Sequence, residues 1–283
     1  MTAVQILRIE PTVSLIASMA LHTGGMRDMI EWVRAHRPEC LPDDIGSVQN
    51  LFPHDLRRAD DSYLSDNELL VELAGRKCYD SFGAKAGRKS NAEYIANTQS
   101  GDIPHASILY HAKMSFFFAG ISRRVSHELI RNYVGADRDE EGAPSQESTR
   151  FTHHYGFFIC PPRYLGDTRR ENFFAKSMQM AYNNYLEAVA NDVAQFERDT
   201  GKPPTSIDRR RIYEAASSFL PHQAETSFIW TTNPAAISKL VRERANEAAD
   251  LEMCRFAKTL RRVAYGAAPN LFPQPWMQPE MKP

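Results

Sequence analysis

Four polar side chains in this sequence are spaced to share one helix face. Arg124, His127, Glu128 and Arg131 stand at i, i+3, i+4 and i+7, which places them on one side of a helix. On spacing alone this is a solvated stripe with Arg124–Glu128 and Glu128–Arg131 ion pairs. The neighbourhood adds a second reading. An aromatic stretch, His111–Phe118, precedes the stripe, and Ser145-Gln146-Glu147-Ser148-Thr149-Arg150-Phe151 follows it. Hydroxyls and backbone N–H groups donate to oxyanions, and the Arg150 guanidinium does so bidentately. Such a set suits a phosphate or the edge of a pyrimidine.

A second cationic clue lies near the C-terminus. With Ile237 at the origin of a helical wheel, Leu240, Val241, Ala248 and Leu251 fall on one apolar arc. Arg244 and Arg255 fall on the same arc. An arginine inside an apolar stripe has either a carboxylate partner or a ligand. Arg209-Arg210-Arg211 opens a shorter helix, where positive charge opposes the helix dipole unless an acid or anion is near. An RNA-binding patch there is the weaker alternative, because the chain has no overall basic charge. The histidines His105, His111, His153 and His154 lack zinc-ligand spacing. The acidic run Asp137–Gly142 is not an EF-hand, because its twelfth position is Ser148 rather than glutamate.

These groups need elements to carry them. The 283 residues are 42% apolar and 24% charged, with net charge −1, an ordinary globular balance. No apolar run reaches the ~18 residues of a membrane span, and Val13–Leu21 is too short and lacks the basic start of a signal peptide. Cys40, Cys78, Cys160 and Cys254 form no CxxC pair, which fits a reducing cytoplasm. GxGxxG, GxxxxGK[ST] and GxSxG are absent. Residues 1–65 read as an N-terminal arm with a helical piece at Met26–His36, packed on a main body of residues 66–283 that ends in a proline-rich tail. Residues 66–98 read as helical, broken near Gly83–Arg88. His111–Phe118 reads as a strand stopped by Gly120, Ile121–Tyr133 as a helix, Gly135–Ser145 as a loop and Phe157–Pro162 as a strand. A long helix capped by Thr168 runs to Thr200, Asp208 opens a shorter one closed by Pro221, and Thr226–Thr232 is a strand. Asn233-Pro234 starts a last helix running to about Tyr265. Strands and helices do not alternate strictly, so the class is α+β.

Taken together, these residues resemble the flavin-dependent thymidylate synthases. His105-Ala106-Ser107 and His111 match the family's histidine segment, and Ile121-Ser122-Arg123 through Leu129-Ile130-Arg131 match its central helix. Gln146-Glu147-Ser148-Thr149-Arg150-Phe151 match its closing motif. Phe219-Leu220-Pro221, Phe228–Asn233 and Arg244 match its second half. The resemblance implies a central, mostly antiparallel sheet packed with long helices. It also implies FAD, methylene-tetrahydrofolate as carbon donor, NADPH as reductant, a uridylate acceptor and a homotetramer with active sites between subunits. By position, Glu128, Gln146, Glu147, Ser148, Thr149, Arg150, Arg210, Ser217 and Arg244 hold the nucleotide. His105, Ser107, Arg131, Asn132, Tyr133, Asn233 and Lys239 contact the flavin, and no metal is implied.

Departures from the pattern are informative. The family's Arg-His-Arg is Arg131-Asn132-Tyr133, its serine three positions before Gln146 is Ala143, and an arginine facing the nucleotide is Ser217. Arg210, one heptad earlier on the same face, stands where it can substitute. Such changes resemble the nucleoside-antibiotic branch of the family, which methylates UMP as well as dUMP; a degenerate flavin- or nucleotide-binding module is the alternative. In the implied chemistry, uracil C5 becomes nucleophilic as charge gathers on the ring carbonyl and N3. Arg244 is the group to stabilise that charge.

Overall fold

The computed structural model describes residues 3–38, 41, 51–58, 60–79, 81–82, 89–100, 105–133 and 143–278, of which Asn132 and Tyr133 by backbone only. The break at residues 83–88, the acidic run Asp137–Gly142, Cys40, Pro279 and Pro283 lie outside the described residues.

Alternating burial builds the centre of the molecule. In β3 (Met114–Ser122), Met114, Phe116 and Phe118 are buried while Ser115, Phe117 and Ala119 are half-exposed, the period-2 pattern of a one-sided sheet. β3 pairs antiparallel with β2 (Thr12–Ser18) on one side and β6 (Glu225–Thr232) on the other. β4 (Ala143–Gln146) pairs antiparallel with β6, giving the order β2-β3-β6-β4. A separate parallel pair joins β1 (Gln5–Leu7) to β5 (Phe157–Ile159). The class is α+β with an antiparallel central sheet, as expected.

Eight helices among the described residues cover these strands: α1 (Thr23–His36), α2 (Asp66–Cys78), α3 (Asn91–Thr98), α4 (Arg123–Tyr133), α5 (Thr168–Thr200), α6 (Ser206–Ala216), α7 (Pro234–Arg244) and α8 (Leu251–Ala267). The buried sheet face meets α7 and α8. Phe118 touches Phe228, Trp230 and Phe256, with ring centroids 4.8, 6.4 and 4.9 Å away. Ile237, Leu240 and Val241 of α7 and Phe256 and Leu260 of α8 complete this core. The proline-rich tail forms two 3₁₀ turns, Pro269–Leu271 and Pro275–Met277, whose Leu271 and Met277 join the same core.

Several boundaries differ from the sequence reading. Gly120 does not stop β3. It adopts φ +68° at a bulge against β6, and the strand continues to Ser122. His111 ends a 3₁₀ turn, Ala106–His111, instead of starting the strand. Residues 143–146 form an edge strand rather than loop, and an edge accommodates Pro144 without a missing ladder bond. The last helix is two helices: α7 ends at Arg244, and Asp250 caps α8 by accepting from the N–H groups of Glu252 and Met253. The single apolar arc therefore holds only for α7. Arg255 belongs to α8 and pairs with Glu10 at 3.3 Å. Asp167, not Thr168, caps α5. Thr205 caps α6 in a capping box with Asp208. The N-terminal segment contributes strands to both sheets through β1 and β2.

Candidate active site

Helix α4 leaves β3 directly, and its orientation is set at that junction. The N–H groups of Arg123 and Arg124 donate to the carbonyls of Ala224 and His222, at 3.0 and 3.1 Å. Buried Glu252 accepts from the Ser122 backbone N–H and hydroxyl, at 2.8 and 2.9 Å. Arg124 pairs with Asp250 and, at 3.1 Å, with Glu252. The expected Arg124–Glu128 pair is thus replaced by partners distant in sequence, because two carboxylates at the α8 cap outcompete one i+4 neighbour.

With α4 so fixed, Glu128 faces α7. Its Oε1 lies 2.8 Å from Arg244 Nε, and each side chain is 28% exposed. The arginine in the apolar stripe therefore has a carboxylate partner, Glu128, and the pair keeps one edge toward solvent.

The closing motif docks on the same helix. Gln146 Nε2 donates to Ser126 Oγ at 2.9 Å and to Thr226 Oγ1 at 3.0 Å. The Glu147 carbonyl accepts from Arg123 at 2.7 Å, and its N–H donates to the Ser227 carbonyl. A tight turn follows. The N–H groups of Phe151 and Thr152 donate to the Ser148 carbonyl, and Ser148 Oγ accepts from the Arg150 N–H at 3.2 Å. That leaves the Ser148 hydroxyl with its own proton to donate. Thr149 is half-buried on this turn.

Arg150 reaches across to α6. Its Nε lies 2.9 Å from Glu214 Oε2, with side chains 56% and 59% exposed. Two guanidinium carbons lie close to the Phe151 ring, that of Arg150 at 5.8 Å and that of Arg210 at 4.7 Å. Arg210, Glu214 and Ser217 stand at i, i+4 and i+7 along α6 and its 3₁₀ extension, so they share a face. The Ser217 hydroxyl donates to the Glu214 carbonyl at 2.8 Å. An ion pair this exposed is worth about 0–1 kcal/mol, whereas a charge-assisted hydrogen bond contributes about 1.5–3 kcal/mol. An oxyanion brought to Arg150 would therefore displace Glu214 at little cost.

Beneath the turn sits a small polar cleft lined by Arg123, Glu147, Thr149, His154 and Glu225. Burial pushes the Glu225 carboxyl up, offset by the Gly120 N–H that it accepts at 2.9 Å. Burial, helped by the Arg123 charge, pushes the His154 imidazole down to about 4 from the ordinary 6.5. Its Nδ1 accepts from the Gly156 N–H, which fixes the neutral ring. A group with a lowered folded-state pKa takes up a proton on unfolding. Its contribution is complete above pH 6.5 and is lost as pH falls toward 4. Denaturant midpoints measured from pH 7 to pH 4 should fall more steeply in the native chain than in His154→Gln; equal slopes would remove His154 from acid sensitivity.

Of the expected flavin contacts, His105 and Ser107 lie at the start of the 3₁₀ turn that packs on α7, Lys239 lies on α7, and Arg131 lies in the last turn of α4. His105 is exposed and meets Tyr79 edge-on at 5.9 Å. Ser107 and Arg131 are exposed, and Lys239 is half-buried on α7. Two cations, a hydroxyl and an exposed aromatic pair suit the diphosphate, sugar and flat ring of a dinucleotide, so the donor set fits FAD. Asn233 differs from its expected part. It is buried, and its Oδ1 caps α7 by accepting from the Ala236 N–H at 2.9 Å. It positions the helix that carries Lys239 and Arg244. The side chains of Asn132 and Tyr133 lie outside the described residues.

Within one chain two contact groups thus form among the predicted nucleotide residues: Arg244 pairs with Glu128, and Arg150 and Arg210 meet at the Phe151 ring, with Glu214 beside Arg150. Arg123 and Glu214 were not singled out by sequence reasoning. The i, i+4, i+7 relation of Arg210, Glu214 and Ser217 was the available signal for Glu214. Arg123 carries none, because its partner is a backbone carbonyl.

A family model described as thymidylate synthase complementing protein matches residues 62–270. A flavin-dependent thymidylate synthase from Mycobacterium sp. (strain KMS) is 34% identical over 207 residues, covering 72% of this chain and 78% of that one. Another, from Mycobacterium avium (strain 104), is 32% identical over 232 residues, covering 81% and 86%. This chain belongs to the flavin-dependent thymidylate synthase family. A solved UMP/dUMP methylase, PolB from Streptomyces cacaoi bound with 5-Br dUMP, shares the fold over 95% of both chains at TM-score 0.55 and 15% identity. As a member of the flavin-dependent thymidylate synthases, the chain is a flavin-dependent enzyme. No helix among its described residues is long and apolar enough to cross a membrane.

Proposed function

We propose that this enzyme carries out reductive C5-methylation of a uridylate, UMP or dUMP, with FAD, methylene-tetrahydrofolate and NADPH. The observation that carries the reading is Arg244, held against Glu128 at the end of the apolar face of α7. A guanidinium fixed there stabilises charge that develops on a uracil carbonyl and needs no reorganisation during reaction. Bound flavin supplies the hydride chemistry. His105, Ser107, Arg131 and Lys239 are the side chains to hold it, with the Asn132–Tyr133 segment flanking them by position. Gln146 and Arg123 keep the closing motif in register, and Glu147, Ser148, Thr149 and Arg150, with Arg210 beside them, present donors to the nucleotide's phosphate and sugar. No cysteine nucleophile is required.

The two groups of nucleotide residues suit half-sites completed by a second copy, which supports the homotetramer as assembly. A cytoplasmic location is proposed with it. The methylase branch is favoured by the departures at Asn132, Tyr133, Ala143 and Ser217, with Arg210 on the same helix face as Ser217 and its guanidinium over Phe151.

The test mixes FAD-loaded protein with UMP or dUMP, methylene-tetrahydrofolate and NADPH and detects the 5-methyl product by mass spectrometry. Absence of FAD binding at micromolar concentration overturns the proposal. Flavin reduction without methylated product favours the binding-module alternative. Arg150→Ala should raise the KM for nucleotide by about 10- to 100-fold, the loss of a charge-assisted pair. A fall in kcat at unchanged KM would contradict its phosphate role.

A further inference from the structure

A set of buried charges outside the candidate site lies where the N-terminal segment meets α2. Leu51, Phe52 and Leu64 of that segment pack with Leu69 and Leu73 of α2 and with Phe82. Beside this apolar contact, His54 turns both ring nitrogens to acceptors. Its Nδ1 lies 2.7 Å from the Asp55 carbonyl oxygen, and its Nε2 lies 2.8 and 3.0 Å from the two carboxylate oxygens of Glu72. The His54 side chain is 8% exposed and that of Glu72 0%. We propose that His54 is a pH-sensitive latch, which fastens the N-terminal segment to α2 as an imidazolium and lets it loosen when the ring loses a proton.

A carbonyl oxygen and an ionised carboxylate only accept hydrogen bonds, so each needs a donor from the ring. The imidazolium has two N–H groups and satisfies both. The neutral ring has one. Whichever tautomer it takes, a lone pair then faces an oxygen at hydrogen-bond distance, in a place with little access to water. Glu72 does not supply the missing proton. Burial alone would raise its carboxyl, but the donors His54 and Asn91 and the His54 and Arg76 charges hold it below the ordinary value, so it stays ionised.

The surroundings favour the charged ring. Burial and the Arg76 charge pull the imidazole down, yet the hydrogen bonds to Glu72 and to the Asp55 carbonyl, with the Glu72 charge, outweigh them and raise it above 6.5. From α2, Glu72 and Arg76 face the ring, and Glu68 is bound to Arg58 of the N-terminal segment. The Asp55 carboxylate accepts from the Arg57 N–H. From α3, Asn91 donates to Glu72, and Tyr94, whose hydroxyl burial pushes up, lies under Arg76. Asn270 of the tail donates to Asn91. Of these groups only an imidazole ordinarily changes charge near neutral pH. A group with a raised folded-state pKa contributes stability below its ordinary value, 6.5 here, and loses it as pH rises through the higher folded value. The Arg58–Glu68 pair and the apolar contact remain, so the segment loosens at this point instead of detaching.

Hydrogen–deuterium exchange of the full chain, corrected for the intrinsic effect of pH, tests the latch between about pH 6 and about pH 9. The reporters are the amides of Arg58 and Leu64, which donate to the Ser62 and Leu56 carbonyls at 2.8 Å. Amides in the middle of α5 serve as reference. Relative to α5, protection of the reporters should fall about tenfold across this range, the effect of losing one charge-assisted hydrogen bond. In His54→Gln, which keeps a donor but has no titrating proton, the fall should be under about twofold. In the native chain, the NMR signal of the His54 ring should titrate above 6.5, with the same midpoint as the loss of protection. Constant protection in the native chain, an equal fall in folded His54→Gln, or a ring that titrates at or below 6.5 overturns the inference. None of these outcomes bears on the uridylate reading, which uses neither His54 nor Glu72.

Discussion

Arg244→Ala should reduce kcat/KM for uridylate methylation by about 100-fold or more. Removing one preorganised donor aimed at developing charge costs about 10²- to 10³-fold in turnover. The fold holds this side chain in place from both ends. Helix α7 buries Ile237, Leu240 and Val241, and its last turn delivers Arg244 to Glu128 at 2.8 Å. Arg244→Lys should recover little, because an ammonium is a point charge without the planar fork. FAD affinity should survive both changes, since the flavin contacts lie on other side chains. An unchanged kcat/KM in the alanine variant would remove Arg244 from the mechanism.

Glu72→Ala should cost about 3–5 kcal/mol of stability, the effect of leaving a buried charge without its partner. Glu72 and Arg76 are 0% and 1% exposed and pair at 2.7 Å on α2. Glu72 also accepts from Asn91 at 2.8 Å and contacts His54 Nε2 at 2.8 Å. Burial alone would raise its carboxyl, yet the hydrogen bonds from His54 and Asn91 and the neighbouring charges hold it below the ordinary value. The buried Arg76 guanidinium stacks 4.5 Å over Tyr94 and donates to the Ser81 carbonyl at 3.2 Å, and neither contact supplies a compensating negative charge. Urea unfolding provides the measurement. A loss below about 1 kcal/mol would mean that water or Ser81 replaces the carboxylate.

Local patterns made the central elements legible. The Asn233-Pro234 start of α7, the Thr226–Thr232 strand and the Thr200 end of α5 are read from residues whose physics acts within a turn or a few neighbours. Features decided by distant partners were not. The alternation in Thr12–Ser18 is a strand only because β3 lies open beside it. The alanines at 245, 248 and 249 have high helix propensity and hid the break before Asp250, whose carboxylate is committed to capping α8 and pairing with Arg124. At the site, Glu128 and Arg244 were each singled out, and the pairing was not. An i+4 neighbour was expected where a residue from another helix won. The Arg150–Glu214 pair is not legible in the sequence, because β5 and the long helix α5 lie between the two residues.

The place of β2 has a practical consequence. The family match begins at residue 62, yet the edge of the central sheet is supplied by Thr12–Ser18. A clone trimmed to the matched boundaries would bare the backbone amides and carbonyls of β3, beside a row of phenylalanines, to any extended peptide nearby. Such a fragment invites insoluble expression, and the full N-terminal stretch is the sensible starting point for crystallisation.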